Sequence, residues 1–219
     1  MLNIETSSPV CSVCLSKDSN IIDYREDMAG TSHARLLTIF IDELFKQNHI
    51  SMKELDAVAI SSGPGSYTGL RVGFSVAKGL CYALEKPLIS IPTLLALFIG
   101  MKQKVNNESA FYLPVMDARR MDIYTALYKA DGKEMIPASA PTVNTSFEEM
   151  LIHYGQIYVG GNAASKCKQV FTSPFIHYVE GIDCDSRTMI MLAEKKFQEQ
   201  QFEDVAYFEP RYLKEFGAK

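Results

Sequence analysis

From residue 56 to residue 104, short and almost unbroken apolar runs alternate with long amphipathic ones. No other feature of the chain restricts its fold as much. "DAVAISS" and "KPLISIP" read as the short apolar strands of a buried parallel sheet. The stretch from about Thr68 to Leu84 and the stretch "TLLALFIGMK" read as helices. Ahead of them, "LNIET" and "VCSVCL" are strands joined by "SSP". "SNIIDYRE" is a third, because its β-branched and aromatic residues fall between polar ones. "ARLLTIFIDELFKQNH" is a helix, with Ser32 as its N-cap. The order β-β-β-α-β-α-β-α implies a mixed sheet with helices on its faces, an α/β fold. The second half, from near Ala110, opens on a hairpin around Arg119-Arg120 and goes on through a helix at "SFEEMLIHYG", a strand at "QIYVGG" and helices at "NAASKCKQVF" and "SRTMIMLAEKKFQEQQ". It starts like the first half but is shorter and less complete. Two lobes are expected, residues 1–105 and 106–219.

Composition narrows the function classes. The 219 residues carry a net charge of −4, and Lys and Arg run together at most as pairs, such as Arg119-Arg120 and Lys195-Lys196. A chain that binds nucleic acid unaided shows a basic patch, so any such work is shared with a partner. The start "MLNIETSSPV" lacks the basic and apolar segments of a secretory signal. No apolar run approaches the ~18 residues that span a bilayer. Five cysteines without a disulfide-like spacing imply reduced thiols and a cytoplasmic protein. Cys11 and Cys14 lie three apart on a strand, so they face opposite ways and read as buried small hydrophobes, not as metal ligands.

"SSGPGSYTGLRVGFSVAKGL" follows a strand and opens a helix, a place where free N–H groups can hold an anion. The pattern fits neither G-x-x-x-x-G-K-[ST] nor G-x-G-x-x-G. Two readings stand: a phosphate loop, or a tight turn whose glycines let the helix approach the sheet. The following helix carries an apolar arc of roughly 200°, where a helix covering one sheet face needs about 100°. The helix before it is apolar over about half its circumference. Such surplus either packs on neighbouring helices or meets another chain.

The stretch "SSGPGSYTGLRVGFSVAKGL" followed by "KPLISIPTLLAL", with "ETSSPVCSVCL" at the start and "PVMDARRMDIYTALY" at mid-chain, closely resembles the TsaB (YeaZ) family. The resemblance runs over nearly the whole chain, most strongly over residues 1–130. It implies the two-lobed fold of actin, Hsp70 and sugar kinases, with a shorter and incomplete second lobe. It implies a non-catalytic scaffold of the cytoplasmic complex that makes N6-threonylcarbamoyladenosine at position 37 of tRNAs reading A-starting codons. The implied partners are a TsaD-like catalytic subunit, bound through helices 33–48 and 68–84, and a TsaE-like ATPase. tRNA is reached only through the complex, and a homodimer forms when the chain is alone. Carried onto this sequence, the interface comprises His33, Leu36, Leu37, Phe40, Val72, Val76, Leu80 and Ala83. Gly63, Pro64, Gly65, Ser66, Gly69 and Arg71 form a loop with a structural task. No catalytic residue, metal or cofactor is expected.

The catalytic relatives carry H-x-x-x-H after the equivalent of "KPLIS", a spacing that lets two imidazoles share a metal. Thr93 and Leu97 stand there in this chain. His33, His49, His153 and His177 are scattered. The first strand turn, "ETSSP", has Glu5 in the Asp position of nucleotide-binding members and no glycine. Gly160, Gly161 and Asn162 resemble an adenosine-side glycine pair. The rival reading is an enzyme of the same fold, a glycoprotease-like metallopeptidase or a small-molecule kinase, with Asp117 as its carboxylate. Hydrogen bonding within the "DARR" turn is the plainer role for Asp117. A stand-alone tRNA binder fits the acidic balance poorly.

Overall fold

The computed structural model of the protein describes residues 1–30 and 33–214; the N-cap expected at Ser32 lies outside the described residues. Contacts divide the chain into two compact units. Met1–Thr93 and Cys184–Tyr212 form the first, and Leu94–Asp183 with the chain from Leu213 onward forms the second. The sequence places a single boundary after residue 105. The contact division falls instead after Thr93, and a later segment returns to the first unit. Local composition cannot register such a return, because it depends on what a distant segment covers.

The first unit holds β1 (Leu2–Glu5), β2 (Cys11–Lys17), β3 (Asn20–Asp27), α1 (His33–Gln47), β4 (Val58–Ser61), α2 (Tyr67–Leu84) and β5 (Leu88–Ile91). Its strands lie in the order β3-β2-β1-β4-β5. β1, β2 and β3 form an antiparallel meander, and β4 and β5 run parallel to β1. Ile4 sits opposite both Val13 and Ile60. Strand alternation therefore sends Leu2, Ile4, Val13, Val58 and Ile60 to one face, where they pack with Leu37, Leu44 and Phe45 of α1 and Phe74 and Ala77 of α2. The opposite face receives Asn3, Glu5, Ser12, Ser16 and Ser61, all buried. Asn3 Nδ2 donates to Ser16 Oγ at 3.0 Å, and Ser186 N donates to Ser12 Oγ at 3.0 Å. A 3-10 turn, Ser186–Met189, packs on β1 and β2, and α6 (Ile190–Gln198) packs on β5. Cys11 lies in the apolar core and both Cys11 and Cys14 are buried; burial pushes each thiol up to about 12. All five cysteines are free.

The second unit contains most of α3 (Thr93–Lys104), then β6 (Phe111–Asp117), β7 (Ile123–Lys129), β8 (Glu134–Ser139), α4 (Thr145–Ile152), β9 (Ile157–Gly160), α5 (Ala164–Val170) and β10 (Ile176–Val179). Its order, β10-β9-β6-β7-β8, repeats that of the first sheet strand for strand. The hairpin expected around Arg119-Arg120 is β6–β7. The second sheet is not incomplete: it has five strands, like the first. β8 escapes a sequence reading because it contains Pro137, which is tolerated on an edge strand. β10 escapes because four residues with two polar-tipped rings show no period. What is shorter is the helices: α4 has 8 residues and α5 has 7, against 15 for α1 and 18 for α2. Among the described residues, no helix is long and apolar enough to cross a membrane.

Candidate functional site

The glycine loop and the turn after β1 are packed together. Ser66 N donates to Ser7 O at 2.6 Å, and Ser66 Oγ accepts from Gly69 N at 3.2 Å, capping α2. A Cβ on Gly65 would lie 2.3 Å from Ser7 O, one on Gly69 2.1 Å from Thr6 O, and one on Gly73 2.2 Å from Thr6 Oγ1. These glycines let the chain's own β1–β2 turn rest on the start of α2. Gly63 has φ +98, a left-handed conformation suited to glycine, and exchanges hydrogen bonds with Thr93: Gly63 N to Thr93 Oγ1 and Thr93 N to Gly63 O, both 3.1 Å. Pro64 is buried, and Arg71 is exposed with its guanidinium 4.0 Å from the Tyr67 ring centre. Tyr212 packs against the same ring at a tilt of 40°, with centroids 5.0 Å apart.

Glu5 is fully buried on the polar face of the first sheet. Its Oε1 accepts from Ser7 N at 2.6 Å and from Ser61 Oγ at 3.0 Å. Burial pushes its pKa up, against the lowering effect of the Ser7 and Ser61 hydrogen bonds. Its Oε2 has no hydrogen-bond partner among the described residues, nor have Thr6 Oγ1, Ser7 Oγ and Ser186 Oγ.

The residues at the H-x-x-x-H position do not fit a metal. Thr93 is buried and tied to Gly63, and Leu97 is buried. A Cβ on Gly161 would meet Leu97 Cδ2 at 3.0 Å and Val115 O at 2.1 Å. That close approach accounts for one of the two glycines at 160–161. His33 Nε2 lies 2.9 Å from Ser8 O, fixing the start of α1 to the β1–β2 turn. His177 bonds Gln156, while His49 and His153 are exposed. Among the described residues, no three His, Cys, Asp or Glu side chains gather as a metal site. Asp117 Oδ1 accepts from Arg119 N at 2.6 Å and pairs with Lys166 at 3.1 Å, and Asp117 N donates to Asn162 Oδ1 at 2.9 Å. Its carboxylate is engaged by its own hairpin and by Lys166 of α5.

The α1–α2 surface distributes the expected interface residues unevenly. Leu37 is fully buried in the core. His33, Leu36, Phe40, Val72, Val76 and Leu80 are half-buried, and Phe40, Val72, Val76 and Leu80 pack against that core. Ala83 is exposed. The largest exposed apolar groups on these helices are two residues that sequence reasoning did not single out: Ile39, 44% exposed, and Tyr82, 84% exposed. Gly79 was missed as well. It is exposed in mid-helix, and a Cβ there would meet nothing within 4 Å. An interior glycine in a periodic helix was the available signal.

The family TsaD, tRNA N6-adenosine threonylcarbamoyltransferase, matches residues 26–219. A protein of Escherichia coli (strain K12), named tRNA threonylcarbamoyladenosine biosynthesis protein TsaB, is 30% identical over 131 residues, 60% of this chain and 55% of that protein. The chain spans about half the length of the curated relatives it matches. A crystal structure described as an uncharacterized protein with similarity to peptidase YEAZ from Pseudomonas aeruginosa superposes with a TM-score of 0.85. It covers 97% of this chain and 98% of the other at 19% identity. YeaZ from Pseudomonas aeruginosa superposes with a TM-score of 0.77 at 20% identity, covering 97% of this chain and 98% of that one. At these identities the likeness speaks to the fold alone.

Proposed function

Because this chain belongs to the TsaD family, on its TsaB (YeaZ) side, we propose that it is a non-catalytic subunit of the assembly that makes N6-threonylcarbamoyladenosine in tRNA. In this reading a TsaD-like catalytic subunit docks on α1 and α2, and a second copy of the chain docks there when it is alone. A TsaE-like ATPase and tRNA join through the assembly, which works in the cytoplasm. The observation that carries the docking is Gly79. A glycine inside a helix costs about 0.5–1 kcal/mol relative to alanine. Gly69 and Gly73 are explained by the approach of Thr6, but nothing in the first unit needs the space at Gly79. A neighbouring backbone would. Ser75, Gly79 and Ala83 are small and exposed on α2, with Tyr82 beside them as a large apolar anchor. The one lysine of α2, Lys78, is turned to Ala206 O and Phe208 O at 3.0 Å each, so it does not charge that surface. Thr93, Leu97 and the engaged Asp117 support the non-catalytic part.

The test is co-purification with the same organism's TsaD-like protein. Gly79→Leu and Ala83→Arg should leave the circular dichroism spectrum unchanged and abolish the complex in light scattering. Gly79→Ala should stabilise the lone chain by about 0.5–1 kcal/mol. Phe40→Arg and Val76→Arg are poorer probes, since both side chains pack on the core and would unfold it. Wild-type binding by both Gly79→Leu and Ala83→Arg would refute the docking, and threonylcarbamoyl transfer by the chain alone would refute the non-catalytic role.

A further inference from the structure

The turn between β6 and β7 carries two consecutive arginines in a left-handed backbone, Arg119 at φ 69 and Arg120 at φ 49. Such turns favour glycine, asparagine or aspartate, and an arginine there is strained. Both arginines are exposed. Neither side chain has an ion pair or hydrogen bond among the described residues.

The rest of the hairpin is neutralised from its own unit. Lys166 Nζ lies 3.1 Å from Asp117 Oδ1 and donates to Asp122 O at 3.2 Å. Lys214 Nζ donates to Ala118 O at 3.1 Å and pairs with Asp122 Oδ2. The Lys214 hydrogen bond, with one from Thr142, holds the Asp122 carboxyl below the usual carboxylate range. Two lysines thus cancel two aspartates and fix the turn's carbonyls. Among the described residues the two guanidiniums remain unmatched, on a chain whose net charge is −4.

We infer that Arg119 and Arg120 receive backbone phosphates of the RNA substrate within the assembly, an inference that rests on the function proposed above. Arginine suits this task because its planar fork donates two parallel hydrogen bonds to one phosphate. Contact to phosphate carries no base information, so the turn positions the RNA and does not select its sequence.

Arg119→Gly/Arg120→Gly tests the inference, because glycine keeps the left-handed backbone and removes the guanidinium with its side chain. Its melting temperature should equal or exceed the wild-type value. The probe is a fluorescent transcript of a tRNA that reads an A-starting codon. Its binding to the purified assembly is followed by anisotropy from about 50 to 200 mM salt. The glycine variant should bind about tenfold more weakly, and its plot of log K against log salt should be shallower by about one per arginine removed. Arg119→Lys/Arg120→Lys should keep most of the slope. An unchanged slope in the glycine variant overturns the inference. So does loss of the TsaD-like subunit with RNA binding intact, which would mark the turn as a contact for an acidic protein. So does loss of ATP or inorganic phosphate binding with RNA binding intact, which would assign the turn to a small phosphate ligand. If the wild-type assembly does not form, the scaffold reading fails. The lone full-length chain at low salt then decides the turn, and equal RNA binding by wild type and glycine variant overturns it.

Discussion

The two five-stranded sheets share a strand order, yet their second faces differ in kind. In the first unit that face carries Asn3, Glu5, Ser12, Ser16 and Ser61, a buried polar layer under the Ser186 turn. In the second unit the matching face is aromatic: Phe98 of α3 packs edge-on against Tyr112 at 5.5 Å and in a tilted pair with Tyr128 at 5.0 Å. The outer elements differ too. The first unit has the long helices α1 and α2 with Tyr82 and Gly79 exposed, while the second has short helices and a charged hairpin turn. One topology thus serves two purposes, and the purpose is set by what is placed on it. An aromatic layer should be sensitive to lost volume, and a polar layer to proton concentration.

The largest expected effect is a cavity in the aromatic layer. Phe98→Ala should cost about 3–5 kcal/mol. In native-state hydrogen exchange, β6 and β7 should lose protection while β1 and β2 keep theirs. Equal loss in both sheets would show that the units do not unfold separately. Next comes Gly69→Ala, whose Cβ would press on Thr6 O. The opposing atom belongs to the backbone, so the turn must shift, at a cost of about 1–3 kcal/mol. This loss should fall on β1 and β2; an unchanged urea midpoint would mean that the turn yields freely.

The smallest expected effect is in pH, and it has opposite signs in the two units. Glu5 is pushed up by burial, so its contribution to stability is fully present below its ordinary value of 4.5 and is lost as pH rises through the raised one. Asp122 is held down, first by Lys214, so its contribution is present above 3.8 and is lost as pH falls through the lowered value. Mild acid should strengthen the first unit, and stronger acid should weaken the second. Glu5→Gln should flatten the first trend and Asp122→Asn the second, each followed as exchange protection against pH. A first unit that loses protection on acidification from neutral pH to about pH 5 would contradict the sign.

Much of the fold is legible where the signal is local. α2 is expected from Thr68 to Leu84 and found at Tyr67–Leu84, because Ser66 caps it and its apolar period is long. The β6–β7 hairpin is legible from its alternation. Legibility ends where a long-range partner decides. The apolar arc of α1 includes Leu36, Leu37 and Phe40, and the arc alone cannot tell that Leu37 is fully buried while Leu36 and Phe40 stay half-buried. The Thr93 hydroxyl reads only as a missing ligand, whereas the structure gives it a task, holding Gly63. The strain at Arg119 and Arg120 is invisible in a list of residues, because it lies in φ.

The return of Cys184–Tyr212 to the first unit bears on how the chain matures during synthesis. Met189, Ile190 and Ala193 are buried, and Phe208 stacks on Phe74 at 5.6 Å. These residues leave the ribosome only after the whole of Leu94–Asp183. At about 5–20 residues per second, the first sheet waits roughly 5–20 s for the segment that completes it. Closing that 90-residue excursion costs about 4 kcal/mol of chain entropy, and a second unit that folds promptly shortens the effective loop and lowers the cost. Prompt folding of the second unit therefore hastens completion of the first sheet, and slow folding there delays it.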